Sequence, residues 1–189
     1  MPDDDQHKHP DAPSVLHAPW RDVYMQELSS ALREGESQPP GSFFERYWSQ
    51  PDCDDANHVV ARLGQDQCAG MILLNKYPYA NGHLLVALAQ PRPTLMSYTP
   101  EQRRAFWEYV DRASHLIERA IEPQGLNIGV NQGTAAGAGV PGHLHAHVVP
   151  RWNADVNFIS VVGRVRVIPS ALDTMWQRYR QVWEQISSG

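Results

Sequence analysis

The chain has 189 residues, 42% of them hydrophobic and 20% charged, with a formal net charge of -5, a composition that suits one soluble globular domain and leaves little room for a second. It has no long run of Lys or Arg, which argues against a nucleic-acid surface, because binding a phosphate backbone needs clustered cations. A single polyphosphate remains an admissible ligand, since a pocket works with local donors rather than net charge.

In chain order, residues 1–18 are rich in Asp, Pro and His and are expected to form a disordered or loosely attached tail before a domain over 19–189. The tail lacks the apolar segment of a secretion signal, and His7, His9 and His17 read as solvated. Val23, Tyr24, Leu28 and Ala31 predict a short helix over 20–31. Pro39-Pro40, Gly41 and Pro51-Asp52 make 35–56 an irregular connection. Strand-like runs follow over 58–63, 68–75 and 83–88, separated by the turn formers Gly64-Gln65-Asp66 and Ala80-Asn81-Gly82. Two cysteines, Cys53 and Cys68, lack the spacing of a disulfide framework and fit a reducing compartment. The longest apolar stretches, such as 70–74, are too short to span a bilayer. The expectation is a cytoplasmic protein with neither a membrane nor a nucleic-acid partner.

Thr99-Pro100-Glu101-Gln102 is a helix start, with Thr99 as cap, Pro100 at the first helical position and Gln102 completing a capping box. Phe106, Val110, Ala113, Ile117 and Ala120 recur at helical spacing, and Pro123-Gln124-Gly125 ends the helix near Ile121. A strand over 126–131, a glycine-rich loop and a strand over 143–151 come next. A last helix over about 169–186 places Leu172, Trp176, Tyr179 and Trp183 on one face. Trp107, Trp176 and Trp183 read as core. Strands joined by turns pair antiparallel, so the fold class is α+β: one antiparallel sheet, a long helix between strands and a C-terminal helix.

His143-Leu144-His145-Ala146-His147 is the informative stretch. On a strand the side-chain period is two, so three imidazoles share one face while Leu144, Ala146 and Val148 point to the core. As packing alone this is costly, because each ring N–H needs a partner. Alternating histidines can place two ligands on a metal ion, and a neutral imidazole held in one tautomer is a nucleophile near pH 7. Taken alone, the run leaves both chemistries open.

The surroundings add two further pieces. Asn75, Pro78, Gly82 and His83 stand in the pattern Asn-x-x-Pro-x-x-x-Gly-His, and Val130-Asn131-Gln132-Gly133 leads into the glycine-rich loop. With His-x-His-x-His, these ordered pieces over residues 58–152 resemble the histidine-triad family. Ala135 to Pro141, Trp152 to Phe158 and Arg166 to Pro169 extend the likeness toward its diadenosine tetraphosphate phosphorylase and hydrolase branch.

That resemblance implies a nucleotidyl hydrolase or transferase acting on dinucleoside polyphosphates. His145 is the implied nucleophile, His147 contacts the phosphate and serves as acid, and His143 orients. Asn75 matches a ribose-binding residue, and His83 an imidazole beside the active site. Asn131 or Gln132 supplies an amide near the phosphate, with Asn131 favoured. Backbone N–H groups of Ala138 and Gly139 face phosphate oxygens, and Trp152 walls the nucleotide. Arg151 is a candidate donor to a pocket for a second anion, inorganic phosphate. Ser42 and Glu45 stand where many relatives carry a Cys-x-x-Cys zinc pair, so neither metal nor cofactor is expected. A homodimer is implied, with the aromatic C-terminal helix as a possible interface. The alternative is a nucleotide- or metal-binding module of the same fold without turnover.

Overall fold

The structure, a computed structural model, describes residues 41–153, 155 and 170–188, all within the unit formed by residues 40–189. The expected tail over 1–18, the helix over 20–31, the first part of the connection over 35–56, and the branch-like residues Asn157, Phe158 and Arg166 to Pro169 lie outside the described residues.

Three aliphatic runs, β1 (Val59–Leu63), β2 (Gly70–Leu74) and β3 (Leu84–Leu88), each pair antiparallel with the next. β4 (Gly125–Val130) and β5 (His145–Arg151) complete a five-stranded sheet in the order β1-β2-β3-β5-β4. β5 therefore lies between β3 and β4, antiparallel to both. Each strand forms where its run was predicted, within one or two residues at most ends.

Strand alternation divides the side chains between two faces. Ile72, Leu74, Leu84, Val86, Leu144, Ala146 and Val148 join the larger core. Above it lies α2, Pro100–Ile121, with the predicted Thr99–Gln102 capping box and Pro100 in its first turn. Its predicted stripe, Phe106, Val110, Ala113, Ile117 and Ala120, is buried throughout. The C-terminal helix α3, Leu172–Ser187, buries Met175 and Tyr179 in the same core. Trp176 and Trp183 pack against it, and the Trp176 indole donates to the Val59 carbonyl at 2.9 Å. Those aromatics are thus spent on the domain's own core. Trp107 departs from expectation: it is 44% exposed, because the residue after buried Phe106 points about 100° around the helix.

The second departure is α1, Phe43–Ser49, where an irregular connection was expected. Ser42 caps it and Glu45 closes a capping box, satisfying N–H groups that a short helix otherwise leaves open. The Ser-x-x-Glu signal was present, but the neighbouring prolines outweighed it. Phe44 enters a smaller core on the sheet's other face with Val59, Met71, Leu73, Leu85 and Ala87. Arg62 secures the other end of α1: its guanidinium donates to the carbonyls of Tyr47 and Trp48, both at 2.7 Å, and pairs with Asp54. No helix among the described residues is long and apolar enough to cross a membrane.

Candidate active site

The extended run that enters β5 sends Leu144, Ala146 and Val148 into the larger core and turns His143, just before the strand, and His145 and His147, on it, toward the α1 side. Pairing with β3 sets Ala87 opposite His145 and Leu85 opposite His147. Phe44 backs the site, its ring centroid 4.9 Å from that of His143 and 5.0 Å from that of His145. His147 follows at 5.0 Å from His145, and His83 at 5.2 Å from His147.

Hydrogen-bond partners assign the tautomers. His143 Nε2 lies 2.7 Å from the Leu88 carbonyl, which only accepts, so Nε2 carries the proton. His143 Nδ1 then accepts from the Ser42 hydroxyl at 2.6 Å. His145 Nδ1 donates to the His143 carbonyl at 2.9 Å, which leaves its lone pair on Nε2. On the far side, His83 Nδ1 accepts the Tyr79 N–H at 3.1 Å, so Nε2–H donates to His147 Nδ1 at 3.1 Å. The His147 proton therefore sits on Nε2. One imidazole presents a lone pair and its neighbour an N–H, the combination that attack on phosphorus and protonation of a leaving oxygen require.

Burial pushes both His143 and His145 below the ordinary histidine value of 6.5. For His143, the bond to Leu88 and the Glu45 carboxylate oppose that effect, while His145 adds to it; for His145, the bond to the His143 carbonyl opposes it. A depressed folded pKa means that the unfolded chain binds more protons just below 6.5. The stability contribution is complete above that pH and is lost as pH falls through the folded values. Urea midpoints are expected to fall as the pH drops below about 6.5, with an acid limb of kcat/KM also below that value. A flat stability profile below that pH would contradict the neutral, buried imidazoles.

The remaining predicted residues divide. Asn75 ends β2 and bridges the turn: its Oδ1 accepts the Tyr77 N–H at 3.0 Å, and its amide reaches His83 Nδ1 at 3.2 Å. Gln132 and Asn131 diverge, the first accepting the Leu95 N–H at 2.8 Å and the second reaching toward the Gly137 carbonyl at 3.5 Å. Only Asn131 is directed into the glycine-rich loop. Within that loop, the Ala138 N–H donates to Gly133 at 3.1 Å, and Gly139 lies in the bend beside it. Arg151 corrects an expectation: its guanidinium is held by Asp155 at 2.6 and 2.8 Å and by Asn127 at 2.9 Å, so it is not aimed at a second anion. Trp152 is half-buried beyond the end of β5, about 16 Å along the strand from His147 at the usual rise per residue. Three residues to which sequence reasoning gave no role there join the site. They are Ser42, Phe44 and Tyr79, whose 42%-exposed ring stacks on His147 at 5.7 Å and 21°. The Tyr77-Pro78-Tyr79 segment inside the Asn75–His83 pattern was the available signal for Tyr79.

The family model for the HIT domain matches residues 61–154. An AP-4-A phosphorylase of Mycobacterium tuberculosis is 34% identical over 157 residues, covering 83% of this chain and 77% of its own length. The chain belongs to the histidine-triad family. A second histidine-triad relative, the asymmetrical bis(5'-nucleosyl)-tetraphosphatase of Schizosaccharomyces pombe, is 34% identical over 82 residues, 43% of this chain and 44% of that protein. Among solved structures, a Zn-bound histidine triad family protein from Mycobacterium smegmatis is 27% identical with a TM-score of 0.54, covering 67% of this chain and 86% of that one. A hypothetical histidine triad nucleotide-binding protein from Sulfolobus tokodaii shares the fold at a TM-score of 0.59 and 22% identity, over 77% and 94% of the two chains.

Ser42 and Glu45 do not fit a zinc site at the position where many relatives of this histidine-triad chain carry cysteines. Ser42 Oγ bonds His143 Nδ1 directly, and the Glu45 carboxylate accepts the Ser42 N–H at 2.6 Å. Among the described residues no three His, Cys, Asp or Glu side chains converge to hold an ion. Elemental analysis of the purified protein is expected to find no stoichiometric metal, and chelation to leave stability and activity unchanged. About one zinc per chain would reverse that reading.

Proposed function

We propose that the chain cleaves the α-phosphate linkage of a dinucleoside polyphosphate through a covalent nucleotidyl intermediate on His145. The observation that carries this reading is the tautomer of His145, with Nδ1–H tied to the His143 carbonyl and the lone pair on Nε2. The 34% identity to an AP-4-A phosphorylase supports the substrate class.

Nε2 of His145 attacks the α-phosphorus, the bond to the departing polyphosphate oxygen breaks, and that oxygen takes the Nε2 proton of His147. The vacated His147 nitrogen then accepts a proton from the acceptor as it attacks the nucleotidyl-imidazole and frees His145. His83 holds His147 in register from behind. His143 orients His145 through its carbonyl. In the same reading Asn75 binds ribose, Asn131 and Gly139 steady the phosphate, and Trp152 borders the nucleotide; the Ala138 N–H, expected to face a phosphate oxygen, is instead spent on the Gly133 carbonyl.

Inorganic phosphate is the proposed acceptor. With diadenosine tetraphosphate, ATP leaves first and phosphate converts His145-bound AMP to ADP. The expected result is ADP plus ATP in the presence of phosphate and slower cleavage in its absence, read by chromatography of the products. AMP plus ATP at the same rate with or without phosphate would make water the acceptor and leave the His145 step standing.

A homodimer belongs to the same reading. β4 is an edge of the sheet among the described residues, and it carries Ile128 at 49% exposure, the kind of edge that pairs with a second copy. So does a cytoplasmic location, supported by two cysteines that stay unpaired.

A further inference from the structure

The geometry points to Ser42, outside the triad, as the positioning residue that sets the His143 ring and through it the reactive tautomer of His145. This inference rests on the nucleophilic role proposed for His145. The path is continuous. Ser42 Oγ accepts the Glu45 N–H at 3.2 Å within the α1 cap and donates to His143 Nδ1 at 2.6 Å. The other His143 nitrogen donates to Leu88 on β3, and the His143 carbonyl receives the His145 Nδ1–H. The His143 ring is thereby fixed at both nitrogens, and so is the peptide that holds His145.

Polarity runs one way along this path. The Leu88 carbonyl can only accept, so it holds the His143 proton on Nε2 and leaves a lone pair on Nδ1. Ser42 Oγ, which takes the Glu45 N–H on one of its lone pairs, donates its own proton to that nitrogen. Two residues further along the same helix, Phe44 packs on both imidazoles. The N-terminus of α1 thus acts on the nucleophile without touching substrate.

Removing the hydroxyl leaves a buried imidazole lone pair without its donor. The groups facing His143 are then the Glu45 carboxylate from α1, His145 from its own strand and the Leu88 carbonyl from β3. Nδ1 becomes the easier site to protonate, and the His143 carbonyl loses its fixed setting.

The test compares Ser42→Ala, Ser42→Thr and Ser42→Asp in the full-length protein with diadenosine tetraphosphate. Steady-state kinetics across pH, trapping of the nucleotidyl adduct, imidazole nitrogen NMR and thermal melts are read together. Ser42→Ala is expected to lower kcat about tenfold with KM within about twofold, to move the acid limb to higher pH, and to broaden the His143 tautomer signal. Ser42→Thr keeps cap and donor and should restore the wild-type profile. Ser42→Asp keeps the cap but offers only acceptors when ionised, so it should match Ala in kcat while melting near wild type. Wild-type kcat and pH profile in folded Ser42→Ala and Ser42→Asp, with the adduct still trapped on His145, overturn the positioning role and leave the mechanism intact. A wild-type enzyme that turns over without loading His145 overturns both.

Discussion

His145→Ala is expected to lose about four or more orders of magnitude in turnover while still binding nucleotide, because it removes the atom proposed to bond to phosphorus. The loss falls on kcat rather than KM, since the substrate's other contacts remain. The stability cost should be small, about 1–2 kcal/mol, as the ring's hydrogen bond is to the His143 carbonyl. His145→Gly with free imidazole should recover part of the rate, because the added ring occupies the vacated volume and supplies the same nitrogen. Single-turnover assays with urea melts separate the two effects. Activity above about one tenth of wild type, a barrier change under about 1.4 kcal/mol, would remove His145 from the nucleophilic role.

Gly82→Ala is expected to act chiefly on the fold. Gly82 has φ +78°, where a Cβ is disfavoured, and an added Cβ would lie 2.5 Å from the Tyr179 hydroxyl and 2.7 Å from Ile121 Cδ1. The Tyr179 hydroxyl also donates to the Gly82 carbonyl at 2.7 Å from a fully buried position, so neither partner retreats without breaking that bond. Backbone strain and overpacking together should cost about 3 kcal/mol. Because His83 is the next residue, the surviving folded protein should also lose activity as His147 loses its backing. Pairing Gly82→Ala with Tyr179→Phe removes the closest atom and should recover part of the stability, a non-additivity measurable by urea denaturation. Additive losses would show that the hydroxyl is not the obstacle.

Those two glycine-and-histidine positions also mark what sequence reading reaches. The Thr99–Gln102 box and the stripe from Phe106 to Ala120 located α2 because both signals are local and periodic. The His143–His147 alternation named its own face because β period alone decides it. Phe43–Ser49 was missed since Pro39-Pro40 and Pro51 spoke for a loop, and a seven-residue helix is too short for its periodicity to argue back. Trp107 lies on the predicted helix but is exposed, because one helical step turns it about 100° from buried Phe106. The contacts between Ser42 and His143, 101 residues apart, and between His83 and His147, 64 apart, have no local signature at all. They follow from which strands become neighbours, a property of the assembled sheet. The amide choice between Asn131 and Gln132 likewise depended on a loop path, which adjacent polar residues do not specify.

The insertion of β5 between β3 and β4 has a consequence for how the protein is made. β1 to β3 can zip together as successive hairpins while the chain emerges, but the partner of β4 among the described strands, β5, arrives beyond it in sequence. Among the described strands the last synthesised is the interior one that carries His145 and His147, and its pairing with β3 closes a span of about 60 residues, a slow step by its loop entropy. A chain released before residue 151 therefore exposes two unsatisfied strand edges and has no half-built catalytic centre. Assembly of the histidine strand and completion of the sheet are a single event, so chemical competence cannot precede folding.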